Sequence, residues 1–224
     1  MKPWEKLARA VAPDGEALEL KRRDREYLIV AGGYDLMSSH DDRSSKALAE
    51  LGCAHLSSGE AARVLVGGLG MGFTLRAALD AVGPGATVEV AELVEAVARW
   101  NREFMGELAD HPLEDPRSKL LLEDVAKVIA AGKSSYDAIL LDVDNGPDAL
   151  AHDQNHSLYG NRGIDAAWRA LRPGGVLGVW SFSDDARFTR RLRKRGFVAE
   201  AKPVAASRKG RGRTHVIWIA IKPR

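Results

Sequence analysis

The residues best suited to chemistry fall into two groups. Gly68, Gly70 and Gly72 stand at alternate positions just after the apolar run Val64-Leu65-Val66. Four carboxylates, Glu92, Asp124, Asp142 and Asp144, each stand at or just beyond the end of a later apolar run. Glycines spaced this way allow a tight turn whose bare main chain a ligand can approach closely. A helix that follows such a turn offers free backbone N–H groups at its start. A carboxylate at the end of the next strand can accept hydrogen bonds from paired hydroxyls, as on a ribose. Asp142 closes an otherwise apolar run, so it faces a cleft mouth rather than bulk solvent, and Asp142-Val143-Asp144-Asn145-Gly146-Pro147 continues as a carboxylate-rich rim. A carboxylate within reach of a reacting amine can take its proton.

These residues need elements to hold them. Val64-Leu65-Val66, the glycines, the apolar-periodic Phe73 to Val82, the break Gly83-Pro84-Gly85 and Thr87 to Ala91 read as strand, turn, helix, turn and strand, with Glu92 at the end. That is the opening βαβ unit of a nucleotide-binding α/β domain. The dinucleotide fingerprint wants a further glycine where this chain has Phe73, and no P-loop lysine follows the glycines. The spacing resembles that of the class I S-adenosylmethionine-dependent methyltransferase fold, which binds a nucleoside without a phosphate.

The rest of the chain extends this unit. Residues 1–17 read as a short helix followed by a Pro13-Asp14-Gly15 turn, and 18–38 as a small antiparallel β extension with Arg23-Asp24 and Gly32-Gly33 at its turns. Ser44 or Ser45 suits the cap of a helix that runs to about His55. The expected organisation is a small extension over 1–45 and a nucleoside-binding domain over 46–224. In that domain, strands are expected at 63–67, 86–92, 119–122, 136–141 and 176–180, with helices at 72–82, 94–106, 160–171 and 184–195. Asp124 suits the cap of a further short helix to Ala131, a role compatible with ligand binding. Pro173-Gly174-Gly175 is expected to end the helix at 160–171. Two closing strands, 197–204 and 214–221, flank the basic segment 207–213. A closing strand pair joined by a hairpin makes a seven-stranded, mostly parallel α/β sheet with helices on both faces.

Composition narrows the function. Hydrophobic residues make up 45% of the 224, enough for a substantial core, and the formal net charge is only +2, so the whole chain is no polycation. The charge is uneven: from Arg187 to Arg224 there are 13 Lys or Arg against the single acid Glu200. The segment 207–213 could touch phosphates, but it has no interleaved aromatics and reads as a solvated loop. The lone Cys53 excludes an internal disulfide and a cysteine-rich zinc site and suits a buried apolar position. His152 and His156 flank the acidic rim without a clear third ligand, so no metal is expected. Trp100 and Trp180 suit core packing. No signal peptide and no apolar run of roughly 20 residues is present, which points to a cytoplasmic protein.

Taken together, Val64 to Leu75, Glu92, Asp124, Tyr136 to Pro147 and Leu171-Arg172-Pro173-Gly174-Gly175 resemble the spermidine synthase family, aminopropyltransferases on the methyltransferase fold. The resemblance covers about residues 18–202. It implies decarboxylated S-adenosylmethionine and a polyamine as co-substrates. It implies that Glu92 holds the ribose, Asp124 the adenine, and that Asp142 orients and deprotonates the attacking amine. Three positions depart from the family. Met71 stands where the family has an aspartate for the aminopropyl amine, Asn145 replaces a second acid although Asp144 is adjacent, and Ser44-Ser45-Lys46 occupies a tyrosine–histidine–glutamate stretch.

The expected function is transfer of a group from the sulfonium of S-adenosylmethionine, or its decarboxylated form, to an acceptor amine. The catalytic residues are Asp142 and Asp144, and the donor residues are Gly68, Gly70, Gly72, Glu92 and Asp124. Met71 is expected to relax the preference for the decarboxylated donor. Methyl transfer to a small molecule is the enzymatic alternative, and a non-catalytic nucleoside- or RNA-binding protein the alternative of another class. A homodimer is left open, and no membrane partner is expected.

Overall fold

A computed structural model describes residues 2–56, 61–143, 156–206 and 214–224. The chain opens as a four-stranded antiparallel meander: β1 (Glu5–Val11), β2 (Ala17–Arg23), β3 (Glu26–Ala31) and β4 (Tyr34–Ser38), in that spatial order. Gly32 and Gly33 both take positive φ, 54° and 88°, as the tight β3–β4 turn between paired Ala31 and Tyr34 requires. The helix expected before residue 17 is instead strand β1, paired with β2 from Glu5↔Arg22 to Val11↔Ala17. Pairing decides this: Leu7, Ala8 and Ala10 pack onto the core beneath the meander, a gain that a short isolated helix lacks.

The second sheet has seven strands in the order β10-β11-β9-β8-β5-β6-β7. These are β5 (Arg63–Gly67), β6 (Thr87–Ala91), β7 (Ser118–Leu121), β8 (Tyr136–Leu141), β9 (Leu171–Ser181), β10 (Val198–Ala205) and β11 (Thr214–Ile221). β7, β6, β5, β8 and β9 are parallel, and β11 runs antiparallel to both β9 and β10. The helices are α1 (Arg43–Cys53), α2 (Phe73–Ala81), α3 (Glu95–Trp100), α4 (Val125–Ala131), α5 (His156–Tyr159), α6 (Asn161–Ala170) and α7 (Ala186–Arg195). After Arg63 the central strand β5 is apolar because both faces are covered: Val64 and Val66 join one core cluster and Leu65 the other. No helix among the described residues is long and apolar enough to cross a membrane.

Three boundaries differ from expectation. β9 begins at Leu171, ahead of Pro173-Gly174-Gly175, because Leu171 pairs with Tyr136 and Gly174 donates its N–H to the Lys222 carbonyl at 2.8 Å. The proline, which lacks an N–H, is tolerated near the strand's start. The expected helix 94–106 is α3 followed by a π turn over Asn101–Met105 and a 3-10 turn over Gly106–Ala109. α1 begins at Arg43, so Ser44 and Ser45 lie inside its first turn rather than at its cap, and Ser44 is buried.

Candidate active site

The carboxyl ends of β5, β6, β7 and β8 open onto a cleft of about 650 Å³, roofed by the meander. At the end of β5 the chain reverses through three left-handed glycines, Gly68 (φ 88°), Gly70 (49°) and Gly72 (85°). At Gly68 space also demands glycine, since a Cβ there would sit 2.4 Å from the Asp142 carbonyl oxygen. The turn is fastened from outside. Asn101, buried in the π turn, donates its amide N–H to the Gly70 carbonyl at 3.2 Å. A π turn of this kind often marks a functional site, and here it aims a side chain at the glycine turn.

Glu92 follows β6 and is 8% exposed. Its Oε2 accepts the Leu69 N–H at 3.0 Å and its Oε1 the Val94 N–H at 2.8 Å. Burial pushes its carboxyl up, opposed by the backbone amides of Val94, Leu69, Gly70 and Leu93. Asp124 precedes α4 and accepts the Ala126 N–H at 2.8 Å, so it is a helix cap that also lines the cleft. Asp142 follows β8 and accepts a hydrogen bond from Thr74 Oγ1. Burial pushes its carboxyl above the usual carboxylate range, opposed by the Thr74 and Ser45 side chains. Gly68, Gly70, Glu92, Asp124 and Asp142 all line the one cleft, while Gly72 caps α2 behind it.

Other expectations fall elsewhere. Met71 is 1% exposed and packs with Leu18, Ile29 and Trp100 beneath the meander, so it does not line the cleft. Trp100 and Trp180 are buried, as is Cys53. Asp144, Asn145, His152 and the segment 207–213 lie outside the described residues, as does the His156 side chain. No group of three metal-ligating side chains occurs among the described residues. The structure adds what the sequence did not signal. Asp14 and Glu16, on the β1–β2 turn, also line the cleft, as does Met37.

The fold has close parallels. Spermidine synthase from Thermotoga maritima superposes with a TM-score of 0.76 over 97% of this chain and 72% of that one, at 17% identity. A spermidine synthase in complex with the transition state analogue AdoDATO gives 0.73 over the same shares, at 18% identity. These likenesses show the fold, the class I methyltransferase-like α/β sheet. By sequence, polyamine aminopropyltransferase 2 of Pseudomonas aeruginosa is 35% identical over 141 residues, 59% of this chain and 38% of that protein. Putrescine N-methyltransferase 2 of Nicotiana tabacum is 34% identical over 116 residues, 51% of this chain and 31% of that protein. The chain therefore spans well under half the length of these relatives. The model of the spermine/spermidine synthase domain matches residues 17–185, from β2 onward, which takes in Gly68, Gly70, Gly72, Glu92, Asp124 and Asp142, and the chain belongs to that family.

Proposed function

We propose that this chain is a spermidine synthase-like transferase that passes the aminopropyl group of decarboxylated S-adenosylmethionine to a polyamine amine. The charge of the cleft carries this reading. Asp14, Glu16, Glu92, Glu123, Asp124 and Asp142 line it, with no Lys, Arg or His among the described lining residues. Such a wall raises the local concentration of cations. The donor brings a sulfonium and an ammonium, and the acceptor is a polycation. Ordinary S-adenosylmethionine adds a carboxylate, for which the described lining of the cleft offers no cationic side chain. Both donors therefore bind, with the decarboxylated one preferred.

In this reading the glycine turn of Gly68, Gly70 and Gly72 passes beneath the donor. Glu92 keeps its two backbone bonds and accepts the ribose hydroxyls on its remaining lone pairs. Asp124 accepts the adenine amino group. Asp142 takes the proton of the attacking amine as the C–N bond forms and the C–S bond breaks, releasing methylthioadenosine. Asp144 is the second carboxylate of the rim. Most of the acceleration comes from holding the two reactants in line. Residues 1–45 serve as an extension that roofs the cleft over the nucleoside-binding domain of 46–224.

Methyl transfer from S-adenosylmethionine to the same amine is the second reading, favoured by the similarity to a putrescine N-methyltransferase. Calorimetry with S-adenosylmethionine, its decarboxylated form, methylthioadenosine and NAD, joined to mass spectrometry of putrescine after incubation, separates the readings. An aminopropyl adduct supports the first and a methyl adduct the second. A preference for NAD, or no nucleoside binding, sinks both. Asp142→Asn should abolish turnover and spare nucleoside affinity, since it removes the base and keeps the shape.

A further inference from the structure

Asp142 is held by a hydroxyl from another element. Thr74, in the first turn of α2, is 2% exposed. Its Oγ1 is within hydrogen-bond reach of Asp142 Oδ2 and lies 3.2 Å from the Ser45 carbonyl oxygen. The Ser45 side chain, like that of Thr74, acts to lower the Asp142 carboxyl against the effect of burial. Ser45 is itself kept in place by its neighbour. Ser44 Oγ accepts the Trp180 Nε1–H at 3.1 Å and shares a 2.9 Å bond with His215 Nδ1. The first turn of α1 is thus pinned to β9 and β11, and it presents Ser45 to the end of β8.

Thr74 has one hydroxyl proton and two acceptors in reach. While Asp142 is ionised, that proton points at the carboxylate. Protonation at Oδ2 makes Asp142 a donor to Thr74 Oγ1, and the Thr74 proton turns to the Ser45 carbonyl; protonation at Oδ1 leaves Oδ2 accepting from Thr74 as before. We propose that Thr74, assisted by Ser45, is the positioning residue for Asp142, keeping its carboxyl group hydrogen-bonded both before and after it takes the acceptor's proton. An unsatisfied buried polar atom is costly, and this arrangement keeps the bond between Thr74 and Asp142 Oδ2 at either stage. The proton balance is simple: the amine loses one N–H proton, Asp142 gains it, and the Thr74 proton only reorients. The inference rests on Asp142 being the base.

The test reads Asp142 directly. Its carboxyl is titrated by carbon-13 NMR, and kcat/KM is followed against pH, in the wild type, Thr74→Val, Thr74→Ser and Ser45→Ala. The other charged groups of the cleft, Asp14, Glu16, Glu92, Glu123 and Asp124, are unchanged in these variants, and Lys46 on α1 stays engaged by Asp42 at 2.6 Å. Thr74→Val should raise the Asp142 titration by about one pH unit. The acid limb of kcat/KM should move with it, and kcat should drop roughly tenfold while donor affinity holds. Thr74→Ser should restore both curves, and Ser45→Ala should give a smaller shift in the same direction. An unmoved Asp142 titration in folded Thr74→Val overturns the proposal, even if activity falls. A titration that moves while the acid limb stays put removes Asp142 as the base and takes the proposal with it. If Thr74→Val does not fold, Ser45→Ala decides by the same two curves.

Discussion

The Glu92 carboxylate accepts the Leu69 N–H at 3.0 Å, so a side chain after β6 holds the turn after β5. The same carboxylate accepts the Val94 N–H at 2.8 Å. Glu92→Ala therefore removes a ligand acceptor and loosens the glycine turn together. Nucleoside affinity should fall by about 1.5–3 kcal/mol, the worth of a hydrogen bond to a charged group. Calorimetry with methylthioadenosine checks this, and unchanged affinity in a folded variant removes Glu92 from the ribose site.

Met71 occupies core rather than cleft. Met71→Asp should cost several kcal/mol of stability, because a carboxylate without a partner is forced among apolar side chains. Met71→Leu, close in volume, should cost under about 1.5 kcal/mol. Urea unfolding of both variants measures the difference. A stable Met71→Asp protein with a changed donor preference would return this residue to the site.

Asp115 gives a pH dependence of definite sign. Arg117 binds it in two places, Nε at 2.9 Å and an Nη at 2.7 Å, and the other Nη reaches the Leu79 and Val82 carbonyls at the end of α2. The Arg117 guanidinium holds the Asp115 carboxyl down to about 2 from its ordinary 3.8. The folded value lies below the unfolded one, so the folded state binds fewer protons in that window. The stabilisation is complete above the ordinary value and is lost as pH falls toward about 2. Asp115→Asn should lower stability at neutral pH and flatten its fall in acid. Denaturation of both proteins across that range decides it.

Glu89 lies in the interior of β6, 6% exposed, with Arg63 at 2.7 Å and the Tyr136 hydroxyl at 2.8 Å. Tyr136→Phe deletes one of these bonds and should destabilise by about 1–3 kcal/mol. Arg63→Met together with Tyr136→Phe should depart from additivity, because both residues hold the same carboxylate. Additive losses in that cycle would show that the three do not act as one network.

The βαβ unit was legible because its signals are local. The apolar run, glycines and helical period from Val64 to Ala91 follow one another in sequence, and the strand ends mark Glu92 and Asp142 as acids at a cleft. The acid cap Asp124 was legible for the same reason. β1, the early start of β9 and the π turn after Trp100 were not: β1 depends on pairing with its neighbour β2 and on packing beneath the meander, and the other two involve the distant Tyr136 and Gly70. Met71 misled for a related reason: alignment on Leu75 and Arg76 gives its place in the turn but not which way its side chain packs. Thr74 bore no mark at all, and Ser45 was marked only as a helix-cap candidate and as part of a stretch that departs from the family. A hydroxyl makes a short-range, directional bond, so its role depends on what stands within about 3 Å. For Thr74 that is Asp142, 68 residues onward, and only the folding of α1 and α2 against the end of β8 brings the two together.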